Sequence, residues 1–253
     1  MNTITKTNTT TLNHYGLIGY PLSHSFSPTY FQQKFEKAGI TNCRYDLYPL
    51  KDIREIKALF SKVKGLNVTI PYKEAVIPFL DMLDPVAEEI GAVNTIKVLP
   101  NGLTCGFNTD AYGFEKSLTP LLKNQEGAFI MGTGGASKAV KYVLDKIGID
   151  VAFLSRSPRP EFVWSYSATN NYYLRNYYSL VINTTPLGMY PNAESCPDIP
   201  YHLYNESSFF YDLIYNPEQT TFLKKGLAQG ATIKNGLEML ELQADRSWEI
   251  WRS

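Results

Sequence analysis

The sequence predicts an α/β fold in two domains with a cleft between them. Three observations carry that expectation. Short apolar, β-branched runs alternate with amphipathic helical stretches, in one block from Tyr15 and in a second from Gln125. A glycine-rich turn, Gly-Thr-Gly-Gly-Ala-Ser at 132–137, stands directly between an apolar run and a helical one. The runs at 180–185 and 209–215 are mainly apolar, β-branched or aromatic, as buried strands of a parallel sheet are.

In the first block, 16–21 reads as a strand and 28–39 as a helix with Phe31, Phe35 and Ala38 on one face. Residues 43–50 read as a second strand, and 52–63 as a helix that Asp52 opens, with Ile53, Ile56 and Phe60 inward. Leu66, Val68 and Ile70 alternate with Asn67 and Thr69, which makes a third strand that Pro71 ends. Helical turns follow through Ala92, and 93–99 with 103–107 form a hairpin about the turn Pro100-Asn101-Gly102. In the second block the expected strands are 127–132, 151–156, 180–185 and 209–215, with a helix at 137–148 closed by Gly148. A final helix, 236–251, places Leu237, Leu240, Ala244, Trp248 and Trp251 on one stripe. Residues 1–13, rich in Thr and Asn, read as a disordered tail.

Composition excludes several classes of function. The 24 basic and 24 acidic side chains cancel, so no net field draws nucleic acid or an anionic membrane. No apolar run is long enough to span a bilayer. Cys43, Cys105 and Cys196 are odd in number and far apart, and His14, His24 and His202 lack ligand spacing. The expectation is a cytoplasmic protein with neither a disulfide framework nor a metal.

The turn at 132–137 sits where a phosphate-binding glycine loop belongs, after a strand and opening a helix. Gly132 permits the tight turn and Gly134 lets the backbone approach a pyrophosphate, while the amides of Gly135 and Ala136 open the helix. The third fingerprint position is Ser137, not glycine. At the tip of the next strand stand Ser155, Arg156 and Ser157, with Arg159 close behind and no acid before Glu161. An NAD site usually places a carboxylate there, whereas a guanidinium with hydroxyls suits a 2′-phosphate. Arginine in a loop is otherwise simply solvated; its place relative to the glycine loop favours NADP(H).

The first block carries polar residues that packing alone does not require. Ser25 and Ser27, in Ser-His-Ser-Phe-Ser-Pro at 23–28, offer two hydroxyls to an anion or else cap the helix that follows. Asn94 and Asp110 fall in expected loops near the boundary between the blocks, where such residues usually form turns. Lys73 follows the third strand closely; it either snorkels into water or points into a ligand crevice.

Together the elements SHSFSP, NVTIPYK, GAVNT, GFNTDAYG, GTGGAS with SRS, NTTPLGM, YDLIYNP and NGLEMLELQA resemble the shikimate dehydrogenase family, in its order, from Tyr15 to the end of the chain. The resemblance implies an N-terminal α/β substrate domain, 14–109 with 235–253, and a Rossmann-type NADP-binding domain, 110–234. It implies reversible NADPH-dependent reduction of 3-dehydroshikimate to shikimate, with Lys73 and Asp110 as the catalytic pair. Ser25 and Ser27 would hold the substrate carboxylate, and Thr69, Asn94, Tyr215 and Gln243 would join the pair around the ring hydroxyls. Thr184, Thr185, Leu213, Gly236 and Met239 would line the cofactor. Gly236, Met239 and Gln243 are spaced i, i+3 and i+7, so they share a helix face. The family's usual Asn-Arg-Thr at the 2′-phosphate is Ser-Arg-Ser here, which keeps the arginine. The family includes monomers and homodimers. An NAD-using quinate/shikimate dehydrogenase and a relative that binds without turnover stay open as alternatives.

Overall fold

A computed structural model describes residues 12–22, 25–158 and 163–253. By contact the chain divides into two compact units: 1–87 with 93–107 and 249–253, and 88–92 with 108–248. The expected tail ends earlier than 13. Residues 1–11 lie outside the described residues, and Asn13 already pairs with Cys43 in a strand.

The first unit opens with β1 (Asn13–Gly19), α1 (Ser27–Lys37) and β2 (Cys43–Pro49). Where one helix is expected over 52–63, a 3₁₀ turn at Ile53–Ile56 runs into a single α turn, α2 (Lys57–Phe60). Asp52 does open it: its side chain accepts from Arg54 N, and Glu55 returns the bond to Asp52 N at 3.2 Å. β3 (Gly65–Val68) leads to α3 (Tyr72–Ala75), then to the short β4 (Met82–Leu83) and α4 (Pro85–Ile90). β5 (Thr95–Val98) and β6 (Thr104–Phe107) form the expected hairpin. The sheet order is β2-β1-β3-β5-β6-β4, with β1 parallel to both β2 and β3, and β5 antiparallel to β3. Its core gathers Ile18, Leu66, Val68, Val76, Val93 and Ile96.

The main stretch of the second unit opens with α5 (Thr109–Leu118), the start of which, through Gly113, the sequence reading takes for loop. It continues through β7 (Gly127–Met131), α6 (Gly135–Lys146), β8 (Asp150–Ser155), β9 (Val163–Ser165), α7 (Tyr172–Tyr177), β10 (Leu180–Asn183), β11 (Phe209–Asp212), α8 (Thr221–Leu227), β12 (Thr232–Lys234) and α9 (Leu237–Arg252). Strands β9 and β12 are three residues each, too short for a periodic signal. All pairs in this sheet are parallel, in the order β12-β11-β10-β7-β8-β9. Counted from β7 that is 6-5-4-1-2-3, the doubly wound dinucleotide-binding order, with its switch between β7 and β10. Among the described residues no helix is long and apolar enough to cross a membrane.

The final helix departs from the expected stripe. Leu237 is exposed, while Met239, Gln243, Ala244, Ser247, Trp248 and Trp251 are buried. Most of α9 clusters by contact with the second unit rather than with the first, because it lies on α5: a Cβ at Gly113 would fall 2.5 Å from the Met239 carbonyl oxygen. Only glycine leaves room for that approach. The last turn belongs to the first unit, where Trp251 stacks on Tyr15 at 4.9 Å, packs beside Phe31 and donates Nε1–H to the Ile96 carbonyl at 2.9 Å. Trp251→Ala is therefore expected to cost about 3–5 kcal/mol. Denaturant unfolding measures this, and a loss below about 1 kcal/mol would refute the role given to the cluster.

Candidate active site

In the first unit, Ser25 and Ser27 follow β1, Thr69 and Lys73 follow β3, and Asn94 immediately precedes the antiparallel β5. All five therefore depart from one edge of the sheet. Lys73 rides on α3, which is pinned by the buried Tyr72 and Val76 on its other face; Tyr72 Oη donates to the Leu50 carbonyl at 2.7 Å. Lys73 itself is half-buried, and its carbonyl accepts from Val93 N at 2.7 Å. Thr69, just past the strand, donates its amide to Ile18 O at 2.9 Å.

Neither serine caps α1. Phe26 holds the cap position and no side chain bonds the helix end. Ser27 instead hydrogen-bonds the hydroxyl of buried Tyr45, and burial pushes that phenol far above its ordinary range. Tyr45 donates to Asn67 Oδ1 at 2.9 Å. Asn67 Nδ2 donates to the Asn94 carbonyl at 3.3 Å and to Thr95 Oγ1 at 3.2 Å, and Thr95 Oγ1 donates to Asn94 Oδ1 at 3.2 Å. One buried chain of side-chain bonds thus joins Ser27 to Asn94. His24 lies outside the described residues.

In the second unit Asp110 is not in a loop. It sits buried in the first turn of α5, where Asn108 caps the helix by accepting from Ala111 N at 3.1 Å. The signal was an Asn followed closely by an acid, a usual helix opening. Next to it, Thr109 Oγ1 bonds Gln243 Oε1 at 3.4 Å and Ser247 Oγ at 3.2 Å, so α5 and α9 hold Asp110 and Gln243 in a fixed relation.

The expected cofactor residues line up along the carboxyl edge of the parallel sheet. Gly132 follows β7 with φ +108, and a Cβ there would meet Thr184 Oγ1 at 2.6 Å, so no other residue fits the turn. A Cβ on Gly134 would meet nothing within 4 Å, leaving open space over the start of α6, and no side chain caps that helix. Ser137 is buried and donates to the Gly134 carbonyl at 2.6 Å, so serine at the third fingerprint position closes the turn itself. Gly135 and Ala136 form the first, half-buried turn. Ser155 ends β8, Arg156 and Ser157 are exposed just beyond it, and Ser155 Oγ accepts from Ser157 N at 3.1 Å. Arg159 lies outside the described residues. The half-buried Thr184 and Thr185 follow β10; Leu213 follows β11, with Tyr215 two residues on, and both are half-buried. Gly236 and Met239 are buried at the start of α9, where Gly236 N donates to the Ile214 carbonyl at 3.1 Å. An uncapped helix start, an open glycine turn and an exposed arginine past the neighbouring strand fit a dinucleotide with a phosphate on its ribose.

The relatives agree. A sequence profile described as the shikimate dehydrogenase substrate binding domain matches residues 17–96. A Caldanaerobacter subterraneus protein named shikimate dehydrogenase (NADP(+)) is 37% identical over 257 residues, covering 94% of this chain and 90% of its own. The chain belongs to the shikimate dehydrogenase family. Among solved structures, the Aquifex aeolicus shikimate dehydrogenase is 35% identical with a TM-score of 0.82, covering 95% of this chain and 92% of its own. A Thermus thermophilus shikimate 5-dehydrogenase, in complex with NADP(H) and shikimate, is 29% identical with a TM-score of 0.83 and covers 95% and 93%.

The sequence reading missed Asp212 and Asn183 as individuals, though both lie inside quoted motifs. The available signal was an acid within the otherwise apolar run Phe209–Asp212. Burial raises the Asp212 carboxyl from 3.8 to about 7, against hydrogen bonds from Thr220, Ile214 N and Asn183 that favour the ionised form. A raised folded-state pKa means that the folded chain holds this proton more tightly than the unfolded chain. The stability it contributes is complete below about pH 3.8 and is lost as pH rises through about 7. Asp212→Asn removes that slope. Denaturation at about pH 5 and about pH 8 should therefore shift the comparison toward the variant at the higher pH, and a constant difference would count against a raised pKa.

Proposed function

We propose that this chain reversibly reduces 3-dehydroshikimate to shikimate with NADPH. What carries the reading is the near-full-length likeness to relatives named shikimate dehydrogenase (NADP(+)), together with a lysine in the turn past β3 and an arginine past β8. Bound at the carboxyl edge of the parallel sheet, the nicotinamide supplies the hydride for reduction and takes it for oxidation.

Lys73 gives a proton to the oxygen of the ketone as it becomes an alcohol, and accepts one in the reverse direction. Asp110 bonds the ring hydroxyls and orients the same reaction. Ser25 and Ser27 hold the substrate carboxylate by their hydroxyls, and Thr69, Asn94, Tyr215 and Gln243 bond the remaining ring hydroxyls. The chain of bonds from Ser27 through Tyr45 and Asn67 to Asn94 supports this assignment, since it ties two of these residues into one network. Gly132, Gly134, Gly135 and Ala136 receive the pyrophosphate, Arg156 with Ser155 and Ser157 receives the 2′-phosphate, and Thr184, Thr185, Leu213, Gly236 and Met239 line the rest.

The deciding assay mixes the protein with NADPH and 3-dehydroshikimate and follows loss of the reduced-nicotinamide absorbance, then repeats the run with NADH. Absence of turnover with both cofactors would bring forward a relative that binds without reacting. Lys73→Ala should lower kcat by roughly 10²–10⁴-fold, the range of a positioned acid–base group; an unchanged kcat would sink its assignment. Arg156→Ala should raise KM for NADPH by about tenfold or more while leaving KM for NADH nearly unmoved, because a charge-assisted phosphate contact is lost. Equal effects on the two cofactors would remove Arg156 from the phosphate site.

A further inference from the structure

Asp212 is fully buried at the end of β11, and both of its oxygens accept hydrogen bonds. One oxygen accepts from Asn183 Nδ2 at 3.0 Å and from Ile214 N at 3.0 Å; the other accepts from Thr220 Oγ1 at 2.6 Å. Asn183, at the end of the neighbouring β10, carries the linkage onward. Its Nδ2 also donates to the Leu187 carbonyl at 3.2 Å, and its Oδ1 accepts from Thr185 N at 3.1 Å and Thr185 Oγ1 at 2.6 Å. Leu213 N in turn donates to the Asn183 carbonyl at 3.0 Å. The Ile214 amide is held by the carboxylate, and the Ile214 carbonyl holds Gly236 N at 3.1 Å. One carboxylate thus stands at the junction of the loops that carry Thr184, Thr185, Leu213 and Gly236.

A carboxyl buried with no cation among its hydrogen-bond partners is a costly tie if only stability were served. Its two oxygens do let one side chain accept at once from donors on separate segments of the chain. We propose that Asp212 is a positioning residue for the dinucleotide: by tying the loop after β10 to the loop after β11 it sets where Thr184, Thr185 and Leu213 stand. The inference rests on reading those residues as the cofactor's lining. It goes beyond that reading by assigning their alignment to a side chain that does not itself reach the cofactor.

The test titrates NADPH into the protein by its fluorescence and measures KM for each substrate separately, with wild type, Asp212→Ala, Asp212→Asn, Thr220→Val and Thr220→Ser. Asp212→Ala strips the junction of its acceptors, and Thr220→Val strips it of one donor. Each should weaken NADPH binding on the order of tenfold, with KM for shikimate changed by less than about threefold. Asp212→Asn keeps an acceptor and the shape, and Thr220→Ser keeps the hydroxyl, so both should restore binding to within about threefold of wild type. If Asp212→Ala does not fold, the Thr220 pair decides. Unchanged NADPH binding in folded Asp212→Ala or Thr220→Val, equal damage to both substrates, or no recovery in the conservative variants would each overturn the proposal. Wild-type protein that neither binds NADPH nor turns over 3-dehydroshikimate would instead overturn the functional reading on which it rests.

Discussion

Parallel strand pairing is the constraint from which the rest of this structure follows. Two parallel neighbours cannot be joined by a tight turn, so the chain must cross back over the sheet between them and their carboxyl ends fall on the same edge. In the second unit that edge collects the ends of β7, β8, β10 and β11. The loops leaving it come from distant parts of the sequence, yet they stand side by side because the strands do. In the first unit the same rule holds for β1 and β3, and the antiparallel β5 brings Asn94 to that edge by its amino end instead.

Loops at such an edge have no ladder to satisfy their polar groups, and each unit answers with buried side chains. The first uses Tyr45, Asn67 and Thr95, all buried and mutually bonded. The second uses Thr109 with Gln243 and Ser247 between helices, and Asn183 with Asp212 between strand ends. These residues share one physical logic. A buried polar group is tolerated when each donor finds an acceptor, and a network so satisfied admits few alternative arrangements.

Much of this was legible in the sequence because it rests on local rules. The apolar, β-branched run at 180–185, the glycines at 132 and 134 and the helix opening at Asp52 each declare themselves within a few residues. What escaped was non-local or short. Strands β9 and β12 are three residues long and exist because a neighbouring strand offers them a ladder. The 3₁₀ turn at Ile53–Ile56 replaces the first part of an expected α-helix, a choice that spacing alone does not resolve. The apolar stripe expected on α9 includes Leu237, which is exposed, and leaves out the buried Ser247, because hydrophobicity cannot foresee that Thr109 will supply a partner for a buried hydroxyl. The assignments at Ser25, Ser27, Lys73 and Asp110 came from motif likeness; folding supplies their surroundings, such as the tie from Ser27 to Tyr45, which no spacing in the sequence encodes.

The placement of Trp251 bears on the order in which the molecule takes shape as it is made. Residues of the first unit leave the ribosome early, but the ring that stacks on Tyr15 and bonds the Ile96 carbonyl is encoded after the whole of the second unit. A domain emerging during synthesis ordinarily folds before the next one follows. Here the first unit lacks the ring that packs on Tyr15 and Phe31 until the last turn of α9 has been translated.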